Sequence, residues 1–291
     1  MIQGPLKWHG GKHYLARQIV SLFPPHTHFV EPYAGGLAVL LAKLPKGSEV
    51  VNDLHGDLMN FWRVLQDEAM FRRFRRRVQA VAFSEVEWHD AKQSLREHAV
   101  REGQEGLIER AASFFIVCRQ SLAGRCEDFA SLSRNRTRRG MNEQASAWLN
   151  AVAGLEQVHN RLQRVVILNK TAMEVLHSED GPETLFYLDP PYLPETKSSK
   201  AFGDLEMTVE QHEELLDRIV ELHGKVIISG YPSALYEKRL RGWHKHTFTL
   251  ANHAATGSLK RNMTEVVWCN FKPQELDPSE SYVLAAEHQV A

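Results

Sequence analysis

Residues 28–53 constrain the fold more than any other stretch. His28-Phe-Val-Glu31 reads as a short buried strand, and Pro32-Tyr-Ala-Gly-Gly36 turns the chain after it. Leu37-Ala-Val-Leu-Leu-Ala-Lys-Leu44 is made of good helix formers and stops at Pro45-Lys-Gly-Ser48. Glu49-Val-Val-Asn-Asp53 resumes as a strand that ends on an acid. Strand, glycine turn, helix, strand and acid make a βαβ unit of the nucleotide-binding kind. The acid lies close to the spacing of roughly twenty residues past the glycines that such units favour.

The remaining pattern places this unit in a larger α/β chain. Segments 58–82, 85–99, 105–121 and 143–163 have helical periodicity, with few strand-like runs between them. Val165-Val-Ile-Leu-Asn169, Thr184-Leu-Phe-Tyr-Leu-Asp189 and Lys225-Val-Ile-Ile-Ser229 return as strands. A helix over 208–223 separates the last two, with Thr208 as its N-cap. His246-Thr-Phe-Thr-Leu250 and Thr264-Glu-Val-Val-Trp-Cys-Asn270 fit a final antiparallel pair. The economical reading is one Rossmann-like, mostly parallel α/β sheet built from 1–57 and 164–272, interrupted by a helical insertion at 58–163. Residues 273–291 are polar and weakly patterned and read as a fraying tail.

Composition narrows the class. The 291 residues contain no apolar run long enough to span a bilayer, and the N-terminus lacks the apolar core of a secretory signal. Three cysteines without a CxxC pair argue against a disulfide framework or a zinc site and for reduced, cytoplasmic thiols. The net charge of −1 does not point to nucleic acid, but its distribution does. Arg134-Asn-Arg-Thr-Arg-Arg139 lies in a stretch without apolar period, which suits a phosphate-contacting loop. Arg72-Arg-Phe-Arg-Arg-Arg77 is ambiguous, because Phe71, Phe74, Val78 and Val81 fall at helical spacing. Its arginines read equally well as the wet face of an amphipathic helix.

Leu188-Asp-Pro-Pro-Tyr192 follows an apolar strand directly. Pro190 and Pro191 have no N–H and fix φ near −65°, so the backbone there is stiff and offers carbonyls without donors. Asp189 adds acceptor oxygens and Tyr192 a flat aromatic face. Such a set suits an amino group on an aromatic ring; a proline-stiffened turn at a strand end is the plainer alternative.

Taken together, Lys7-Trp-His-Gly-Gly-Lys12, Val30-Glu-Pro-Tyr-Ala-Gly-Gly36, Asn52-Asp53 and Asp189-Pro-Pro-Tyr192 resemble the Dam-like, D12-class adenine-specific DNA methyltransferases. These carry the same motifs in the same order on a Rossmann-like class I methyltransferase sheet. The resemblance implies S-adenosylmethionine as cofactor, methyl transfer to N6 of a flipped-out adenine, double-stranded DNA as partner, and no metal. It implies cofactor contacts at Trp8, Lys12, Glu31, Tyr33, Gly35, Gly36, Asp53 and Asp189, with Asp189, Pro190, Pro191 and Tyr192 as the catalytic set. The insertion would then recognise the target, with Arg119, Arg125, Arg134, Arg136, Arg138 and Arg139 as candidate DNA contacts. A soluble cytoplasmic monomer or weak dimer, with or without a restriction partner, fits this class. One departure stands out: Leu37 takes the place of a second spaced glycine in the family's turn. N4-cytosine methylation, a catalytically inactive DNA-binding protein on the same scaffold, and a dinucleotide oxidoreductase remain as alternatives. The last lacks a GxGxxG and gives Asp-Pro-Pro-Tyr no role.

Overall fold

The computed structural model describes residues 2–97, 103–130, 136–193, 206–250 and 263–273. Its strands are β1 (His28–Glu31), β2 (Ser48–Asn52), β3 (Thr137–Arg138), β4 (Met141–Asn142), β5 (Val166–Leu168), β6 (Thr184–Leu188), β7 (Lys225–Gly230), β8 (His244–Leu250) and β9 (Met263–Cys269). The chain divides into two compact units, the first comprising 1–13, 34–45 and 49–170, the second the rest. Parallel pairs, an antiparallel hairpin and flanking helices make it an α/β protein, the class expected from the βαβ pattern.

In the second unit β6 pairs in parallel with β1 (Phe29 opposite Leu185) and with β7 (Leu188 opposite Ile228). β9 runs antiparallel between β7 and β8, so the final hairpin is present and also extends the sheet. Every residue of β6 is buried, which explains its unbroken apolar run. The helix Val209–Ile219 starts at a capping box in which Thr208 accepts from Gln211 N and the Gln211 side chain answers. It buries His212, Leu215, Leu216 and Ile219, one stripe at helical spacing.

In the first unit β2 and β5 pair in parallel, Val50 opposite Val166 and Asn52 opposite Leu168. The periodic stretch 58–82 is two helices, Gly56–Gln66 and Glu68–Gln79, because Asp67 leaves helical geometry and caps the second by accepting from Met70 N. The stretch 143–163 is likewise two helices, Glu143–Ala153 and Leu155–Leu162, hinged at Gly154. Helix Gly103–Gln120 is buried from Ala111 to Gln120 and forms the centre of this unit. The arginine run at 72–77 takes its structural reading: Phe71, Phe74 and Val78 face inward, while Arg72, Arg73, Arg75 and Arg77 pair with Glu68, Glu105, Glu156 and Glu109. The arginine-rich stretch, read from the sequence as a loop or a helix lead-in, contains the β3–β4 hairpin. Both central residues, Arg139 and Gly140, have positive φ (55° and 72°), as a type I′ turn requires. Arg134, the segment 194–205 and the tail from 274 lie outside the described residues.

One buried ionic cluster anchors β2. Glu49 is buried, receives two hydrogen bonds from Arg161 (2.6 and 2.8 Å) and one from Lys43 (2.9 Å), and both cations are buried with it. Burial alone would raise the Glu49 carboxyl, but the Arg161 and Lys43 contacts outweigh it and hold it below its ordinary range. Glu49→Ala leaves two buried cations uncompensated and is expected to lower stability by about 3–5 kcal/mol in urea unfolding. Because the folded pKa is depressed, this contribution is present above the unfolded value of about 4.3 and lost as pH falls through the folded one. The gap between wild type and variant should therefore narrow in acid; a gap independent of pH would show that the ionised pair is not its source.

Candidate active site

In the first unit the site grows from the end of β2. Asp53 follows the strand, where its Oδ2 accepts from Gly35 N (3.0 Å) and its Oδ1 from His55 N (3.0 Å). The Gly35 carbonyl accepts from Trp62 Nε1 (3.1 Å), so Gly35 is held through both its N–H and its carbonyl. Asn52 ties the ends of β2 and β5 together: its Nδ2 donates to Lys170 O (3.0 Å) and its Oδ1 accepts from Lys170 N (2.8 Å). Asn169 Nδ2 donates to Asp53 O (2.7 Å). Burial raises the Asp53 carboxyl above the usual range, against the opposing pull of the His55 and Gly35 N–H groups.

The glycine turn needs its glycines because Trp8 lies against it. A Cβ on Gly35 would sit 2.7 Å from Trp8 Nε1, and one on Gly36 would sit 2.8 Å from Trp8 Cβ. Gly35 also has φ of +46°, a left-handed conformation that glycine adopts without strain. Trp8 in turn meets His55 edge-on at 6.0 Å and Phe114 at 6.4 Å. His55 Nδ1 accepts from Leu58 N and so caps helix Gly56–Gln66. Leu37, at the position of the family's second glycine, also adopts the left-handed region (φ 56°, ψ 28°) and is fully buried. The turn thus keeps a glycine-like backbone at the expense of roughly 1–2 kcal/mol of strain, which the burial of a leucine side chain, about 1.5–3 kcal/mol, offsets. The helix that follows, Ala38–Ala42, is only five residues long. Lys12 is buried, and its Nζ donates to Gly10 O (3.3 Å).

In the second unit the parallel strands bring their carboxyl ends to one edge. Glu31 closes β1 and is buried; Tyr33 follows it and is half-buried. Asp189 follows β6 and is half-buried, Pro190 is buried, and Pro191 and Tyr192 are half-buried. Tyr192 Oη donates to Glu265 on β9 and lies 3.4 Å from Asp189 Oδ1. Its ring meets Tyr231, just past β7, edge-on with centroids 4.4 Å apart. Burial, with the charges of Asp189 and Glu265 beside it, pushes the Tyr192 phenol well above its ordinary value.

The expected arginines separate by exposure. Arg125, Arg136, Arg138 and Arg139 are exposed. Arg119 is buried on the central helix with its Nη2 donating to Ala147 O (2.9 Å), which corrects its expected place on a DNA-facing surface. The reason is that every residue of that helix from Ala111 to Gln120 is buried, so a side chain in its last turns does not reach the surface. Residues not anticipated from the sequence are Trp62, His55, Tyr231 and Glu265. Of these only Glu265 left a trace, as a lone acid in the apolar run Met263–Cys269. Among the described residues no group of His, Cys, Asp and Glu is placed to hold a metal, and no helix is long and apolar enough to cross a membrane.

Comparison with known proteins gives the family. Residues 8–254 match the family model of the D12 class N6 adenine-specific DNA methyltransferases, and the chain belongs to that family. It is 26% identical over 286 residues to the type II methyltransferase M1.LlaDCHI of Lactococcus lactis subsp. cremoris, covering 91% of this chain and 94% of that protein. It is 24% identical over 245 residues to the DNA N-6-adenine-methyltransferase of Escherichia phage P1, covering 78% of this chain but 30% of the phage protein. The family favours adenine N6 over the alternatives left open by the sequence.

The residues around Asp53 fit the methyl donor that this family implies. A carboxylate has about four lone-pair sites. Asp53 meets the Gly35, His55 and Leu54 N–H groups, which leaves acceptor capacity for a ribose hydroxyl. Gly35→Ala tests the cradle itself. It is expected to destabilise by about 1–3 kcal/mol through the contact with Trp8 and the positive φ. In a Trp8→Ala background only the φ penalty, about 1 kcal/mol, should remain. An equal penalty in both backgrounds, read by urea unfolding, would mean that Trp8 is not what excludes a side chain there.

Proposed function

We propose that this chain is an S-adenosylmethionine-dependent enzyme that methylates N6 of adenine in double-stranded DNA, using Asp53 for the cofactor and Asp189 with Pro190 for the target amine. The observation that carries the reading is the Asp189-Pro-Pro-Tyr192 turn at the carboxyl end of a fully buried parallel strand, with Glu265 and Tyr231 packed on its tyrosine. In open α/β sheets ligands bind outside such strand ends.

The cofactor, when bound, supplies an electrophilic methyl group on a sulfonium. Asp53 would hold its ribose through a charge-assisted hydrogen bond, with Gly35 N and His55 N fixing the carboxylate. Gly35 and Gly36 allow the chain to turn tightly beside it, and Trp8 backs that turn. Lys12 provides a cation toward a carboxylate, and Glu31 and Tyr33 are the further cofactor contacts that the family motif implies.

The target amine is a poor nucleophile because its lone pair is delocalised into the ring. Asp189 and the Pro190 carbonyl would accept its two hydrogens, which favours a more tetrahedral nitrogen with a localised lone pair. Pro191 keeps that stretch stiff. The carboxylate also stabilises the positive charge that develops on nitrogen. The base must leave the duplex, at a cost of a few kcal/mol. Stacking on Tyr192 offsets roughly 1–3 kcal/mol of this. The helical segment 58–163 acts as the target-recognition domain, with exposed Arg125, Arg136, Arg138 and Arg139 toward phosphates or bases.

Asp189→Ala is expected to abolish formation of N6-methyladenine while DNA binding stays nearly intact; turnover at the wild-type rate would remove its assigned role. Asp53→Ala should instead weaken cofactor binding in equilibrium dialysis, and unchanged affinity would take it off the ribose. Changing Arg136 and Arg138 together to Ala should flatten the slope of log K against log salt by about 1.8, at roughly 0.9 for each phosphate no longer neutralised. An unchanged slope places both residues away from the backbone of the DNA.

A further inference from the structure

Glu265 is 73 residues from Tyr192 in sequence and belongs to none of the motifs above. It is buried, 4% exposed, on β9. Pairing of Gly230 with Val266 brings it to the edge of the sheet where β7 ends and Tyr231 begins. There one phenol faces two carboxylates: Tyr192 Oη lies 3.4 Å from Asp189 Oδ1 and within closer hydrogen-bond reach of Glu265 Oε1. A phenol has a single O–H and can donate it to only one acceptor at a time.

We infer that Glu265 is a positioning residue for methyl transfer: it takes the Tyr192 O–H, so that the Asp189 oxygen beside that phenol accepts from the substrate amine and not from the enzyme's own tyrosine. The inference rests on the role proposed above for Asp189. Two effects follow from the same contact. The hydrogen bond and the edge-on Tyr231 ring together fix the plane of the Tyr192 ring, on which a base stacks. Burial, with Asp189 and Glu265 beside it, also opposes a phenolate at Tyr192. Glu265 therefore acts through Tyr192 and does not itself touch the base.

Glu265→Gln retains the size of the side chain but removes its charge and lets its amide donate to Oη. The phenol proton is then free to turn to Asp189, and the amine must compete for that oxygen. The expected result is a loss of roughly 10- to 100-fold in kcat, the size of one charge-assisted hydrogen bond. KM for S-adenosylmethionine and the urea midpoint should stay within about twofold and the error of the melt, respectively. The decisive comparison is in a Tyr192→Phe background, where the ring remains but the competing O–H is gone. There the same Glu265→Gln change should alter kcat by less than about threefold.

Methyl transfer to unmethylated genomic DNA, quantified as N6-methyladenine, reads all four proteins. A parallel measurement does not depend on activity. With tyrosine labelled at Cζ, the resonance that disappears in Tyr192→Phe identifies Tyr192, and it should shift in Glu265→Gln. A resonance that does not move, or an equal loss of kcat in both backgrounds, overturns the inference. Absence of N6-methyladenine from the wild-type protein would instead overturn the functional reading, and the Cζ shift would still decide whether Glu265 holds the phenol.

Discussion

Parallel pairing imposes a constraint that antiparallel pairing does not, because neighbouring strands must all leave the sheet at the same edge. β1, β6 and β7 obey it, so Glu31, Asp189 and Tyr231 emerge side by side from strands far apart in sequence. β2 and β5 obey it too, and Asn52 clamps their shared end by bonding both ways to the backbone of Lys170. These polar groups stand where the ladder stops, at the strand ends outside which open α/β sheets bind their ligands. A single antiparallel exchange within β1, β6 and β7 would send one of these residues to the opposite edge.

Charge burial supports this arrangement from within. Glu49 lies inside β2 and its partners Lys43 and Arg161 come from either side in sequence. Such a cluster contributes little net stability compared with apolar residues of the same volume, but it is intolerant of losing one member. It sits in β2 four residues before Asp53, which follows the strand, so the register of the strand end depends on it. A hydrophobic strand could slide by two residues and bury similar side chains; a strand carrying Glu49 has one register that satisfies Arg161.

What was legible in the sequence was mostly local. The strand at 184–188 shows itself by an unbroken apolar run, the Thr208 cap by a threonine at the head of a helical period, and Asp53 by its position after a strand and a glycine turn. The contacts that were not legible span long separations. Trp62 reaches Gly35 across 27 residues, Arg161 reaches Glu49 across 112, and Glu265 reaches Tyr192 across 73. No periodicity encodes such pairs. Arg119 was misleading for a related reason: arginine in an arginine-rich region reads as surface, and only packing shows that its helix is enclosed. Leu37 shows the converse. A residue that propensity would keep out of the left-handed region is held there because its side chain fills the core.

The order of the strands has a consequence for how the protein is made. β9 is the last strand in sequence among the described residues, yet it lies inside the sheet, between β7 and β8. When β8 leaves the ribosome it has no partner on β7 and must wait for Met263–Cys269 to arrive. Until then β7 carries an open, apolar edge, the kind of surface that recruits other chains. The tyrosine of the Asp-Pro-Pro-Tyr turn is translated 73 residues before its carboxylate partner. The strand that closes this edge is therefore also the one that carries Glu265, and a nascent chain that stalls before residue 263 both exposes β7 and lacks the acid that meets Tyr192.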